Sequence, residues 1–169
     1  MLEEYTDHPC AISIKLLVPT TGSLTPAVRT YLRDRKSALS RRGLYDSQPY
    51  PMEHHSPFLE IISGRTGNDF YLENDLRKAA ASDRYRNGNP HWKRLYNSTV
   101  IVPIREPNVR TSENIVGFLC VDSLNAKFDE QVCLIISNIV ANTVFYVISS
   151  LSQLEDRRSR QGIGSINAG

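Results

Sequence analysis

The side chains best suited to binding a small molecule lie between Asp83 and Asn97. This stretch combines Tyr85, Trp92 and Tyr96, which are aromatic rings with polar tips, with Asn and His side chains. Such rings offer apolar contact together with an orienting hydrogen bond, which suits a pocket for a planar or amphipathic ligand. The alternative is that the rings only pack the stretch onto the fold. For the segment as a whole, a pocket is the favoured interpretation.

Residue patterns typical of enzymes and metal sites do not occur in the sequence. It contains no catalytic triad, phosphate-binding loop or paired-carboxylate site. The adjacent His54 and His55 have no Cys, Asp or third His at metal-ligand spacing. We therefore predict no catalytic residues, no metal site and no cofactor.

A cluster of basic residues accompanies the second predicted strand. Arg29, Arg33, Arg35 and Lys36 lie close together, and Arg41-Arg42 follows. Arg presents a rigid fork of donors to carboxylate or phosphate, so the cluster could face an anionic ligand or partner. It could also be a solvated strand end and loop. It lacks the interleaved aromatic residues of a nucleic-acid stacking platform.

The composition is that of one ordinary soluble domain. The chain has 169 residues, 40% of them hydrophobic, which is enough to bury most of the unfolded surface. The net charge of +2 gives no electrostatic case for binding nucleic acid. Cys10, Cys120 and Cys133 each lie in an apolar run. This pattern predicts buried thiols in a reducing compartment. Because no signal-peptide pattern opens the chain, we expect a cytoplasmic protein.

Two strands and a long helix dominate the second half of the chain. Asn97 to Arg105 and Asn114 to Ser123 are typical of strands, with apolar residues on both faces. This pattern indicates a sheet covered on both sides. Asp129 is placed to cap the helix that Phe128-Asp129-Glu130 opens, because its carboxylate can accept hydrogen bonds from first-turn N–H groups. Gly117 inside the second strand indicates a bulge or a close neighbour.

The first half of the chain predicts smaller elements. Cys10 to Val18 and Val28 to Leu32 are typical of strands and are close enough to form a hairpin. Gly43 to Ser56 is a predicted loop, and Pro57 to Ile62 is a short helix or strand. The segment that begins at Asn68 leads into a helical run that ends at Ala81.

The long helix raises the question of a membrane. From Cys133 to Leu151 the sequence carries no charge, which is near the length that spans a bilayer. However, Ser, Asn and Thr residues interrupt it, and the apolar positions keep helical spacing. A broad apolar face suits a helix that packs on its own sheet and on a partner's helix. We therefore predict a homodimer and no membrane span. The predicted dimer contacts are Ile136, Val140, Val144, Val147 and Leu151.

Three runs occur in a distinctive order: Val100-Ile101-Val102-Pro103-Ile104, then Ile115 to Ser123, then Lys127-Phe128-Asp129-Glu130 at the start of an apolar helix. Their order and spacing resemble the C-terminal half of a GAF domain, a small-molecule sensory module. The resemblance implies an α+β fold of the α/β/α sandwich type, with a central antiparallel sheet of five to six strands, helices on both faces and a long C-terminal helix. It also implies a ligand pocket on one sheet face and a dimer made by the terminal helices.

The resemblance also sets the expected domain boundaries. A single GAF-like domain would cover residues 8–154, with the C-terminal helix at about 129–158 and a flexible tail at 159–169. GAF domains begin with a helix, and residues 1–7 are at most a remnant of it. Either a longer protein supplies that helix, together with an anchor or output domain, or a dimer partner supplies the missing packing.

In GAF domains the segment before the last two strands folds over the pocket as a lid, and the matching segment here is Phe70 to Asn97. We expect ligand contacts on this lid or at the pocket-side ends of strands. The candidates are Arg33, Tyr71, Tyr85, Trp92, Tyr96, Ser98 and Thr99. Asp122 could also point into the pocket, although a carboxylate at a strand end more often bonds nearby backbone.

Three functions are compatible with the resemblance. We favour a non-catalytic sensor that binds an unidentified small molecule and signals through the dimerising helix. A cyclic nucleotide is one candidate ligand class, because the segment from Asn125 to Glu130 is similar to a compressed form of the signature of phosphodiesterase regulatory GAF domains. The second function is an interaction module with a filled pocket. The third is an enzyme similar to the cysteine-dependent free methionine sulfoxide reductases, but the matching loops carry no cysteine.

Overall fold

The computed structural model describes residues 7–20, 25–39, 48–64, 69–107 and 114–164, which form six strands and five helices. The strands are β1 (Cys10–Val18), β2 (Ala27–Arg33), β3 (Tyr50–Pro51), β4 (Tyr71–Glu73), β5 (Ser98–Arg105) and β6 (Ile115–Ser123). The helices are α1 (Arg35–Ala38), α2 (Ser56–Ser63), α3 (Leu76–Ala81), α4 (Trp92–Leu95) and α5 (Glu130–Gly164), and a 3₁₀ turn covers Met52–His54. The predictions for residues 1–6, for Arg41-Arg42 and for residues 165–169 lie outside the described residues.

All six strands form one antiparallel sheet in the order β3-β2-β1-β6-β5-β4. The predicted hairpin of β1 and β2 is present, and β5 pairs with β6 along its whole length. The long strands β1 and β6 lie side by side in the middle of the sheet. The fold is therefore α+β, as predicted. The sequence did not indicate the short strands β3 and β4, which lie at the two edges.

The side chains of β5 alternate between two hydrophobic cores. Val100 and Ile104 belong to a core between the sheet and α5, whereas Ile101 belongs to a core on the opposite face. Phe58 of α2 covers this second core and stacks on Phe118 of β6, with ring centres 4.5 Å apart. The sheet thus carries helices on both faces because its central strands are apolar on both.

The helix α5 begins where the sequence predicts. Oδ1 of Asp129 accepts a hydrogen bond from the N–H group of Val132 at 3.0 Å, which confirms the predicted cap. Cys133 and Ala141 are buried against the sheet. The helix continues to Gly164, beyond the end expected near residue 158 and into the range predicted as a tail. No proline interrupts this extension, and its Arg and Gln residues are good helix formers.

The apolar residues of α5 serve more than one surface. One side packs on the sheet, but the helix also carries a series of exposed apolar side chains. These are Ile135, Ile139, Val140, Tyr146, Val147, Leu151 and Leu154. Among the described residues, the stretch Glu130–Glu155 is also long and apolar enough to cross a membrane. Length and composition are weak evidence for a span, because core helices of soluble proteins meet the same criteria.

Gly117 lets β6 approach β1 closely. It pairs with Leu16, and a Cβ atom at this position would overlap the carbonyl oxygen of Lys15. The close neighbour expected from the sequence is therefore the backbone of β1. The register of β5 and β6 also shifts beside Gly117, between Ile104 and Arg105.

We expect Gly117→Ala to lower the free energy of unfolding by about 1–3 kcal/mol, the usual cost of inserting a group into a packed interior. Urea denaturation of the two proteins measures the difference. The control is Gly64→Asn, because Gly64 has open space around it and a φ of +62°, which Asn tolerates. Equal stability of Gly117→Ala and the parent protein would contradict the close contact.

Candidate functional site

A cavity of about 420 Å³ lies on the sheet face opposite α5. Its size is within the range of about 300–1,000 Å³ that is typical of small-molecule sites. Four strands form the floor, with the side chains of Lys15, Thr30, Arg33, Thr99, Ile101, Cys120 and Asp122. Two segments form the walls: one at residues 48–58, the other at residues 85–96.

A cross-strand pair fixes the carboxylate on the floor. Thr99 and Asp122 lie directly opposite each other in β5 and β6. The Thr99 hydroxyl donates a hydrogen bond to Oδ1 of Asp122 at 2.7 Å. Because Thr99 is only 1% exposed, this bond holds the carboxylate at a defined place at the edge of the cavity.

Two cationic side chains reach the floor from the neighbouring strands. Nζ of Lys15 on β1 donates to Oγ1 of Thr30 at 2.8 Å and lies 5.3 Å from the centre of the Tyr50 ring. Arg33 is at the end of β2, opposite Ser13 of β1. The strand order therefore places positive charge on the β1–β2 side of the floor and negative charge on the β5–β6 side.

The wall at residues 85–96 is held by one amide group. Nδ2 of Asn87 donates to the hydroxyl oxygens of Tyr85 and Tyr96, at 2.7 and 2.5 Å. Its Oδ1 accepts the N–H group of Asn89 at 2.9 Å. The Tyr85 ring packs edge-on against Trp92, with ring centres 4.9 Å apart. These contacts give the wall a fixed shape, with the polar ends of two tyrosines at the cavity.

The wall at residues 48–58 is a stack of rings. His55 lies between Tyr50 and Phe58, with ring centres 4.5 and 5.6 Å away. Two hydrogen bonds join this wall to the other one: the N–H of Ser56 donates to the Arg86 carbonyl at 3.2 Å, and the N–H of Arg86 donates to the Ser56 hydroxyl at 3.0 Å. These bonds therefore join the two walls to each other.

Burial controls the charge states inside the cavity. It lowers the pKa of His55 to about 3, with additional effects from the positive charge of Lys15 and from His54. His55 is therefore neutral at pH 7. Burial also raises the pKa of the Cys120 thiol to about 12, although the charges of Lys15 and Arg33 act in the opposite direction.

Four of the seven residues predicted to contact a ligand line the cavity: Arg33, Tyr85, Tyr96 and Thr99. The remaining three, Tyr71, Trp92 and Ser98, do not, and each has a structural role. Tyr71 is in the edge strand β4, opposite Ile101. Trp92, which is 6% exposed, packs with Leu76, Ala79 and Tyr85 behind the wall.

Ser98 is the first residue of β5 and does not line the cavity. It is 1% exposed, and its hydroxyl bonds the carbonyl oxygens of Ser123 at 3.1 Å and Ala126 at 2.8 Å. The Ser123 hydroxyl in turn accepts the N–H group of Ala126 at 3.1 Å. These bonds fix the connection from β6 to α5, so Ser98 positions the helix.

Several cavity residues were not among the candidates. Lys15, Cys120 and the wall at residues 48–58 were missed, and Asp122 was expected to bond backbone more often than to face a pocket. The alternation of side chains offered one signal, because Cys120 and Asp122 lie two residues apart and so share a face of β6. No comparable signal marked residues 48–58, where turn residues and β3 replace a regular pattern.

The thiol at the cavity is not activated as a nucleophile. Cys120 is the cysteine that lines the cavity, and a thiol with a raised pKa is a poor nucleophile. All three cysteines are buried, as predicted. Within the described ranges, no group of three or more His, Cys, Asp or Glu side chains could hold a metal ion.

The five predicted dimer contacts divide between two environments. Ile136 and Val144 pack against the core under α5. Val140, Val147 and Leu151 are 40%, 55% and 48% exposed. The exposed members are available to a partner, whereas the other two support the helix on its own sheet.

Comparisons with known proteins found no relative from which a function could be transferred. No protein-family model matches the chain, and searches of curated proteins and of solved structures gave no significant match. The likeness to GAF domains therefore stays a prediction from the residues themselves.

The neutral state of His55 predicts how stability depends on pH. An unfolded His binds a proton below about pH 6.5, whereas the folded protein keeps His55 neutral down to about pH 3. Above pH 6.5, His55 therefore does not lower the free energy of unfolding. Below pH 6.5 it lowers this free energy progressively as the pH falls. From pH 7 to pH 5 we expect a loss of about 2 kcal/mol from this group.

Urea denaturation at pH 7 and pH 5 measures this loss in the parent protein and in His55→Gln, which cannot titrate. The exposed His91→Gln is the matched control and should keep the full pH dependence. Carboxyl groups contribute to all three proteins alike, so only the difference between variants is diagnostic. The same pH dependence in His55→Gln as in the parent protein would contradict a buried, neutral His55.

Proposed function

We propose that this chain is a GAF-like sensory domain that binds a small molecule in the cavity and is not an enzyme. The observation that carries the proposal is a cavity of ligand size whose walls combine fixed aromatic rings with charged and hydroxyl groups. Small-molecule sites have this combination, because apolar surface supplies affinity and a few polar groups set orientation. The antiparallel sheet, the helices on both faces and the long final helix are also features that the GAF resemblance implies.

The walls support the proposal because hydrogen bonds within the protein hold their side chains in place. Asn87 holds two tyrosine hydroxyls, and the bonds between Ser56 and Arg86 join the walls. A site whose side chains are already in place loses less conformational entropy on binding. An interaction surface with no ligand has no need of such polar groups around a cavity.

The sheet offers a direct path from the cavity to α5. In β5, Thr99 faces the cavity while the next residue, Val100, packs in the core under α5. In β6, Asp122 faces the cavity and its neighbour Val121 packs in the core under α5. A ligand that displaces these strands would therefore also move the surface on which α5 rests. Signalling further requires that the ligand bind two helix arrangements with different affinity.

The second candidate is an interaction module that forms a dimer without a ligand. The exposed apolar side chains of α5 favour it, because a contiguous apolar surface of this kind marks an interaction site. The two proposals share the dimer and differ in whether the cavity is used.

We expect at least one compound from a panel of nucleotides, amino acids and small acids to raise the melting temperature further as its concentration increases. A ligand that binds only the folded state stabilises it by mass action. Tyr96→Phe should weaken this shift, since it removes a hydroxyl at the cavity and keeps the ring. Tyr31→Phe is the control, because Tyr31 is exposed on β2 and does not line the cavity. A full panel without a shift would favour the interaction module.

We expect Val147→Glu to convert a dimer into monomers, because a buried carboxylate without a partner is costly. Light scattering after size-exclusion chromatography measures the mass. Asn138→Glu is the control, since Asn138 is exposed on the same helix and lies about 180° from Val147 by the helical period. An unchanged dimer mass in a folded Val147→Glu protein would contradict a dimer through this face.

A further inference from the structure

The cavity floor carries charges of opposite sign at separate places. Lys15 and Arg33 belong to β1 and β2, and Asp122 belongs to β6 on the other side of the floor. Cys120 lies between them, since Arg33 pairs with Ser13 and Ser13 pairs with Cys120. Lys15, Arg33, Cys120 and Asp122 all line the same cavity of about 420 Å³.

The strand geometry fixes the scale of this separation. Arg33 is two strands away from Cys120, and Asp122 is two residues further along β6. Strand spacing and rise place the Cα atoms of Arg33 and Asp122 about 12 Å apart. Both side chains line the same cavity, so one small molecule can contact both charged groups.

We propose that the ligand is a small zwitterion of the amino-carboxylic acid class, with its acid group at Lys15 and Arg33 and its ammonium group at Asp122. This inference rests on the proposed sensory function and names the ligand class of the same cavity. An apolar side chain of the ligand would lie against the ring stack of the wall at residues 48–58.

The surroundings of Asp122 fit an ammonium group. The Thr99 hydroxyl occupies one position on the carboxylate, which leaves acceptor capacity for further donors. Tyr85 and Tyr96 also line the cavity, and the charge of Asp122 contributes to the raised pKa of both hydroxyls. Aromatic rings attract a nearby cation. At the other side, Arg and Lys are the side chains that bind carboxylates through charged hydrogen bonds.

Ligands with charge of a single sign fit this floor less well. A simple anion would gain Lys15 and Arg33 but leave Asp122 without a cationic partner, and a simple amine would meet two positive charges. His55 adds no charge to either side because it is neutral at pH 7. The ring stack at residues 48–58 accepts an apolar body of any of these classes, so the charged groups of the floor decide between them.

The test compares three matched probes on the whole chain by isothermal titration calorimetry: phenylalanine, its deaminated analogue 3-phenylpropionate and its decarboxylated analogue phenethylamine. The twenty standard amino acids and GMP are screened in parallel by thermal shift, and the best amino acid then replaces phenylalanine in a matched series. We expect the amino acid to bind at least about tenfold more tightly than either analogue, the effect of losing one charged hydrogen bond.

Variants locate the two charged groups. Asp122→Asn should weaken amino acid binding by about tenfold to a hundredfold and should not weaken binding of the deaminated acid. Arg33→Gln should weaken the amino acid and the deaminated acid but not the amine. The probe series on the parent protein gives its result even where a variant does not fold.

The outcomes separate this inference from the function on which it rests. A deaminated acid that binds as tightly as its amino acid, or GMP binding with no response to any amino acid, would overturn the zwitterion and leave the sensor standing. An unchanged amino acid affinity in folded Asp122→Asn would also overturn the assignment of the ammonium group. No binding by any probe would count against the zwitterion and the sensor together.

Discussion

The pairing of β5 with β6 is the constraint on which both surfaces of the sheet depend. Because side chains alternate along a strand, one register sends Val100 and Val121 to the helix core and Thr99 and Asp122 to the cavity. A slip by one residue would exchange the two sets and bury a carboxylate under α5. The register is held at one end by the Ser98 hydrogen bonds. At the other end of the pairing, Gly117 lets β6 approach the backbone of β1 closely.

The cavity exists because the segments that cover the sheet do not fill it. α2 covers the core at Phe58, and Tyr85 and Trp92 pack the wall at residues 85–96 against Leu76 and Ala79 of α3. The space between them keeps polar groups on both floor and walls. A carboxylate, two cations and two tyrosine hydroxyls around one space of ligand size are the physical basis for proposing a sensor.

The sequence predicted the parts of this fold that local patterns encode. The alternation in β5 and the cap at Asp129 each depend on residues near one another in the chain, and both are present. The glycine within β6 also indicated a close neighbour, although the sequence could not say that this neighbour is the backbone of Lys15. The candidate site was less predictable, because membership of the cavity depends on contacts between distant segments. Trp92 and Tyr85 belong to the same aromatic run, yet only Tyr85 reaches the cavity, since Trp92 turns toward α3.

The most direct test of the central claim, that the cavity is a ligand site, is native mass spectrometry of the purified protein before and after incubation with the compound panel. We expect a bound small molecule, either co-purified and released on denaturation or added from the panel, and its loss or weakening in Tyr96→Phe. A protein that stays at its bare mass with every compound, while remaining folded, would contradict a ligand site and favour an interaction module.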